Sequence, residues 1–254
     1  MRLVYIVPGP MSQTALGAPE LERRVTKLRS WAAPGASVDI REVARGPASI
    51  ESVFEEFLSV PATADQMLAA ERDGYDAAIL GCFGDPGVDA FRELLTGMVV
   101  AAPGEAAFHL ASLLGERFGI VTVTSSIVNP LRHLVARYGL ADRLAGIAVV
   151  DTPVLELAQD ASRTLARIRD AGRRLIEEHG ADTLVLGCMS MAFMEATAEL
   201  ASDLGVPVVN PARSALKVAE AIVGSGLRHS KRAYPLPPKL AGGAAGDAAG
   251  LLIG

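Results

Sequence analysis

Cysteine is almost missing from this chain: its 254 residues include two. So few in a cytosolic protein read as free thiols rather than a structural disulfide. Aromatics are sparse as well, with seven Phe, four Tyr and one Trp, which argues against a surface for stacking bases. Positive charge is not in excess. The formal net charge is −5, so there is no electrostatic footprint for nucleic acid. Long apolar runs are lacking too, because Gly, Thr or Asp interrupts each one. The opening "MRLVYIVPGP" has one positive charge and an apolar stretch too short for a signal peptide or a membrane span. A soluble, cytoplasmic protein with no membrane partner is expected. The histidines, His109, His133, His179 and His229, do not cluster with either cysteine, and a zinc site needs roughly four ligands, so no metal is expected.

What is present is apolar material in short blocks. Half of the chain is hydrophobic, ample for a core, and the length suits one large or two small domains. β-type runs occur at 2–7, 37–42, 76–82, 98–102, 118–124, 144–150, 182–188 and 206–210. Most are continuously apolar rather than alternating, as in parallel strands covered on both faces. Helical spacing appears between them in "LERRVTKLRSWA", in "GEAAFHLASLLGERF" and in the long stretch 154–180, which stops at Gly180. Alternating strands and helices predict an α/β fold.

The chain also repeats itself. "ERDGYDAAILGC" (71–82) overlays "EEHGADTLVLGC" (177–188) without a gap, at an offset of 106. Glu71, Gly74 and Asp76 match Glu177, Gly180 and Asp182, and the Leu-Gly-Cys triplets coincide. The expected architecture is two pseudo-symmetric lobes, each a mostly parallel sheet flanked by helices, with the active site in the cleft between them. The first lobe would span 1–100 plus about 211–228, and the second 101–210. Residues 229–254, rich in Pro, Gly and Ala, read as a free arm.

Sites in open α/β sheets lie beyond the carboxyl ends of strands, and both cysteines occupy such ends. If the lobes face each other, one thiolate can remove a proton from carbon while the opposite thiol returns one to the other face. The carbon inverts and no cofactor is required. The working thiolate needs its pKa brought down from about 8.5. A helix start after Cys82, signalled by Asp85 as a cap and by Pro86, would help through its N–H groups. A buried core cysteine and a redox pair are the competing readings; a matched pair outside any Cys-x-x-Cys motif favours acid–base chemistry. Neither "GCFGD" nor "GCMSM" is the Gly-x-Ser-x-Gly elbow of a serine hydrolase.

At "ILGCFGDPGVDAFREL", "GEAAFHLASLLGERFGIVTV" and "LVLGCMSM" the sequence resembles the aspartate/glutamate racemase superfamily and, within it, the hydantoin and allantoin racemases. The resemblance covers nearly the whole chain except the tail. It implies a cofactor-independent racemase of a small-molecule substrate that uses Cys82 and Cys188 as acid and base and assembles as a homo-oligomer. Three departures stand out. Where the family runs from its first strand into an Asn-Pro-Asn-Thr type loop, this chain has "VPGPMS", in which only Pro8 matches. Gly84 replaces the middle residue of Phe-Asp-Asp, and Met189, Ser190 and Met191 replace Ala-Gly-Met.

Substrate contacts are expected from Pro8, Gly9, Pro10, Phe83, Gly84, Thr122, Thr124, Met189 and Ser190. Pro8, Pro10, Met189 and Met191 make a pocket more apolar than free aspartate or glutamate would want; the resemblance implies a 5-substituted hydantoin or a related cyclic ureide as the substrate. Glu105 reads as a first-turn acid of its helix, and His109 as a packed or surface residue. Maleate isomerisation, arylmalonate-type decarboxylation, amino-acid racemisation and non-catalytic metabolite binding are the rival readings.

Overall fold

The computed structural model describes residues 1–241; the expected tail beyond that, 242–254, lies outside the described residues. In chain order the elements are β1 (Arg2–Val7), α1 (Gly17–Trp31), β2 (Ser37–Glu42), α2 (Val53–Arg72), β3 (Ala77–Leu80), α3 (Val88–Leu94), β4 (Val99–Ala101), α4 (Pro103–Leu114), β5 (Phe118–Thr122), α5 (Val128–Arg137), β6 (Leu144–Val149), α6 (Ala161–His179), β7 (Thr183–Leu186), α7 (Met189–Ala192), α8 (Thr197–Leu204), β8 (Val208–Val209), α9 (Pro211–Gly224) and α10 (Pro238–Ala241). No helix among the described residues is long and apolar enough to cross a membrane.

The chain divides into two compact units. Among the described residues, one holds Met1–Ala48, Phe54–Ala102 and residues 216–241; the other holds Ser49–Val53 and Pro103–Ala215. The first unit contains a sheet ordered β2-β1-β3-β4 and the second a sheet ordered β6-β5-β7-β8, with every pairing parallel. The two orders are the same pattern shifted by four strands. Each of the eight runs contains a strand; β3, β5 and β7 are buried throughout, as expected of strands covered on both faces, whereas the outer strands β2 and β6 are mostly half-buried. In β1, Leu3 to Ile6 have no exposed surface. The first core gathers Val4 and Ile6 of β1, Leu80, Phe91 of α3, Val100 of β4 and Met67 of α2.

The repeat read from the sequence is a repeat of hydrogen bonds. Asp76 donates its N–H to Arg2 O (2.8 Å) and accepts Arg2 N–H on its carboxylate (2.7 Å). Asp182 donates to Arg117 O (2.9 Å), and its carboxylate accepts the N–H groups of Glu116 and Arg117. Each aspartate thereby stitches the entry of one strand to the entry of its neighbour. Gly74 and Gly180 precede them at φ 77 and 68, a left-handed backbone that ends a helix readily for glycine.

Two expectations are corrected, and one helix was not anticipated. The long helical stretch is helical only from Ala161, because the Asp160 carboxylate accepts Arg163 N–H and caps the helix there. Helix α2 was not legible, since Pro61 sits inside it and interrupts the backbone ladder. The tail beyond His229 is not a free arm as far as residue 241. β4 is an edge strand, and Val100 turns its N–H to His229 Nε2 (2.8 Å). Lys231 Nζ donates to the carbonyls of Arg92 (2.7 Å) and Glu93 (3.0 Å), and Arg92 donates to Val100 O (3.3 Å). The His229 and Arg92 bonds satisfy Val100 N–H and C=O on a sheet edge that would otherwise expose them, and Lys231 ties the tail to the last turn of α3.

Candidate active site

In the first unit the parallel strands deliver three loops to one end of the sheet. β1 leads into Pro8, Gly9 and Pro10, then a 3-10 turn at Met11–Gln13. Glu42, the last residue of β2, clamps that turn: its carboxylate accepts Ser12 N–H (2.9 Å) and the Ser12 hydroxyl. Gly9 is a steric requirement, because a Cβ there would stand 2.5 Å from Pro47 O. β3 leads into Cys82. The residue before it, Gly81, donates its N–H to Ile6 O (2.8 Å). A Cβ on Gly81 would meet that oxygen at 2.5 Å and Pro8 Cδ at 3.1 Å. The missing side chain lets β1 approach and sets Cys82 beside the Pro8 loop.

After Cys82 the chain turns sharply. Asp85 N–H donates to Cys82 O (3.3 Å), and Asp85 is buried at φ 52. Asp85 is not the N-cap residue: Gly87, at φ 70, holds that position, and the helix opens only at Val88. The helix start is therefore displaced from Cys82. Helix α2 lies along this turn. A side chain at Gly87 would collide with Val60, and one at Gly84 with the Glu56 carboxylate. Cys82 is a partly exposed free thiol, and Phe83 beside it is buried.

The second unit builds the matching end. Gly187 N–H donates to Val121 O (2.7 Å), and the buried Thr122 hydroxyl donates to Gly187 O (3.1 Å). Thr122 thus holds the residue that precedes Cys188. Cys188 is a buried free thiol and the N-cap residue of α7, in extended conformation; its carbonyl accepts Ala192 N–H (3.1 Å). Met189 and Met191 are buried, and Ser190 is half-buried. The Thr124 and Ser126 hydroxyls pair at 2.9 Å, and Ser126 donates to Glu51 O (2.6 Å). The Glu51 carboxylate in turn accepts Val154 N–H (3.1 Å) and the Ser49 hydroxyl (2.8 Å).

Two lobes of one topology, each ending its third strand on Gly-Cys, match a known family. The model of the Asp/Glu/hydantoin racemases matches residues 20–219. The chain belongs to the Asp/Glu/hydantoin racemase family. It is similar to a hydantoin racemase of Pseudomonas sp. (strain NS671), 38% identical over 76% of this chain and 77% of that protein. It is also similar to a hydantoin racemase of Paenarthrobacter aurescens, 33% identical over 91% and 94%. Among solved structures, an allantoin racemase from Klebsiella pneumoniae superposes with a TM-score of 0.85 at 31% identity, covering 93% and 94%. With the family comes the reaction class: this protein is an isomerase of the racemase type.

Within this family member, the residues expected at the site fall into two groups. Pro8, Gly9, Pro10, Cys82, Phe83 and Gly84 share one end of the first sheet, and Thr122, Thr124, Cys188, Met189 and Ser190 share the corresponding end of the second. Glu42, Glu51 and Glu56 were not anticipated. Their carboxylates act on loops far away in sequence, and nothing in local spacing distinguishes them from solvated acids. Glu105 lies in the first turn of α4, and His109 is exposed on that helix, as expected.

Proposed function

We propose that this racemase inverts a 5-substituted hydantoin or a related cyclic ureide such as allantoin, without a cofactor, by two-base proton transfer with Cys82 and Cys188 as the two bases. The observation that carries this reading is the pair of free thiols at matched strand ends, each set by a glycine that its neighbouring strand requires. The likeness to hydantoin racemases and to an allantoin racemase supports the ureide class.

In this mechanism one thiolate takes the proton from the ring carbon that bears the substituent. The electron pair of the broken C–H bond moves into the adjacent C=O, giving an enolate. The opposite thiol then protonates the other face and is left as the thiolate. Neighbouring carbonyl and nitrogen acidify that C–H, so two modest bases suffice. Pro8, Gly9, Pro10, Phe83, Gly84, Thr124, Met189 and Ser190 would contact the ring, with Thr122 acting through Gly187. Gly9 and Pro10 offer no side-chain donor for a free carboxylate, which favours a neutral ring over aspartate or glutamate. Free thiols suit the reducing cytoplasm, where this reading places the protein.

The test is proton NMR in D2O on single enantiomers of hydantoins and of allantoin, followed in parallel by optical rotation. Loss of the ring-carbon proton signal together with rotation is expected. Unchanged spectra with both thiols shown to be reduced would defeat the reading.

Self-association belongs to the same proposal. Phe54, Phe57 and Leu58 at the start of α2 are 71%, 72% and 50% exposed, an apolar face larger than isolated surface residues account for. Sedimentation equilibrium is expected to return a multiple of the single-chain mass. A monomer at micromolar concentration would remove this part.

A further inference from the structure

Helix α2 begins with its faces inverted. Its buried stripe runs through Ser59, Thr63, Ala64, Met67 and Ala70 toward the core. One turn earlier the same stripe carries Glu56, while Phe54 and Phe57 face solvent. The Glu56 carboxylate lies against Gly84, two residues beyond Cys82, in the space a side chain at 84 would need. Among the described residues, no hydrogen bond or ion pair engages that carboxylate. Burial pushes its pKa above the ordinary glutamate value, with no cation to offset the cost. A half-buried acceptor without a donor is held at a cost, and a ligand with an N–H group would satisfy it.

We propose that Glu56 is a specificity-determining residue that accepts a ring N–H of the ureide held at Cys82. This rests on the cyclic-ureide reading above. A hydantoin ring offers two N–H donors, one next to the reacting carbon and one between the two carbonyls. The Glu56 carboxylate, beside Gly84 and two residues along the chain from Cys82, would receive one of them while the thiolate works on carbon. It takes over the acceptor role that Gly84, lacking a side chain, cannot supply. The substrate class selected is a ring with an unsubstituted nitrogen.

The experiment compares wild type, Glu56→Gln and Glu56→Leu on a 5-substituted hydantoin and on its two singly N-methylated forms. For wild type, one of the methyl isomers is expected to lose about 10–100-fold in kcat/KM, the range of a hydrogen bond to a charged group. Glu56→Leu is expected to lose a similar factor on the parent and to treat parent and that isomer alike. Glu56→Gln, which keeps one acceptor oxygen, is expected to fall between.

Folding is checked independently. The folded protein binds the Glu56 proton more tightly than the unfolded chain, so stability falls as pH rises from the ordinary glutamate pKa through the raised one. Glu56→Gln is therefore expected to melt above wild type at neutral pH, with the gap closing on acidification. An unchanged discrimination in folded Glu56→Leu, with wild type active, overturns this inference alone. A wild type inactive on every ureide overturns the proposed function and this inference with it.

Discussion

Replacing either cysteine with serine is expected to lower racemisation by about 1,000-fold or more, within the span that proton transfer by a positioned group contributes. Serine keeps the shape of the side chain, but its hydroxyl ionises far above the thiol range near 8.5 and cannot hold a working population of base at neutral pH. The two variants are expected to fail differently. In Cys82→Ser the thiol at Cys188 remains able to draw the proton from the face it meets, and in Cys188→Ser the reverse holds. Each variant should exchange the ring-carbon proton of one enantiomer with D2O while leaving the other untouched, and neither should interconvert them. Proton NMR on separated enantiomers reads both quantities at once. Racemisation persisting in Cys82→Ser would defeat the two-base mechanism. Exchange of the same enantiomer by both variants would defeat the assignment of the thiols to opposite faces.

The second large effect is expected from a single methyl group. Gly81→Ala places a Cβ 2.5 Å from Ile6 O and 3.0 Å from Val7 Cα. Those are backbone atoms of β1, and β1 is paired on both sides, to β2 and to β3. Relief requires the strands to part and the 2.8 Å bond from Gly81 N–H to Ile6 O to lengthen. A cost of about 1–3 kcal/mol is expected by urea denaturation, the usual range for forcing extra volume into a packed core. Activity should fall further than stability, because Cys82 moves with the residue before it. Gly187→Ala is expected to cost less. Its Cβ would meet a side-chain tip, Ile120 Cγ2, at 2.8 Å, and its backbone contact, Val121 O, stands at 3.0 Å rather than the 2.5 Å found at Gly81. Gly81→Ala within about 0.5 kcal/mol of wild type, the scatter of an ordinary surface change, would refute the steric account.

These glycines show how much of the site was legible. The Leu-Gly-Cys triplets stood out because they recur at one offset. Their place at strand ends followed from the apolar runs before them. The reason for the glycine did not follow, since it lies in strands 75 and 66 residues earlier, at Ile6 and Val121, whose carbonyls receive the glycine N–H groups. Thr122 is similar: its strand-end position was readable, but its bond to Gly187 O was not. The Asp-Pro signal placed the helix start too early: Asp85 lies in a buried turn at φ 52, two residues before the N-cap residue Gly87.

The amino-acid sequence alone determined the alternation of strands and helices, the eight sheet strands and the duplication that gives each lobe its cysteine. Those properties are local or periodic. Continuous apolar runs can be buried only between covering layers, and a repeat of residues imposes a repeat of backbone bonds. Tertiary structure decided the rest. It sent Ser49–Val53 to the second unit while Phe54 onward returned to the first. It turned Glu56 inward on α2 and left two phenylalanines in water. It fastened His229 to the edge of β4 and Lys231 to the last turn of α3. Each of these outcomes depends on a partner dozens of residues away, chosen by steric fit and by unsatisfied backbone groups, and no spacing within the segment itself encodes that choice.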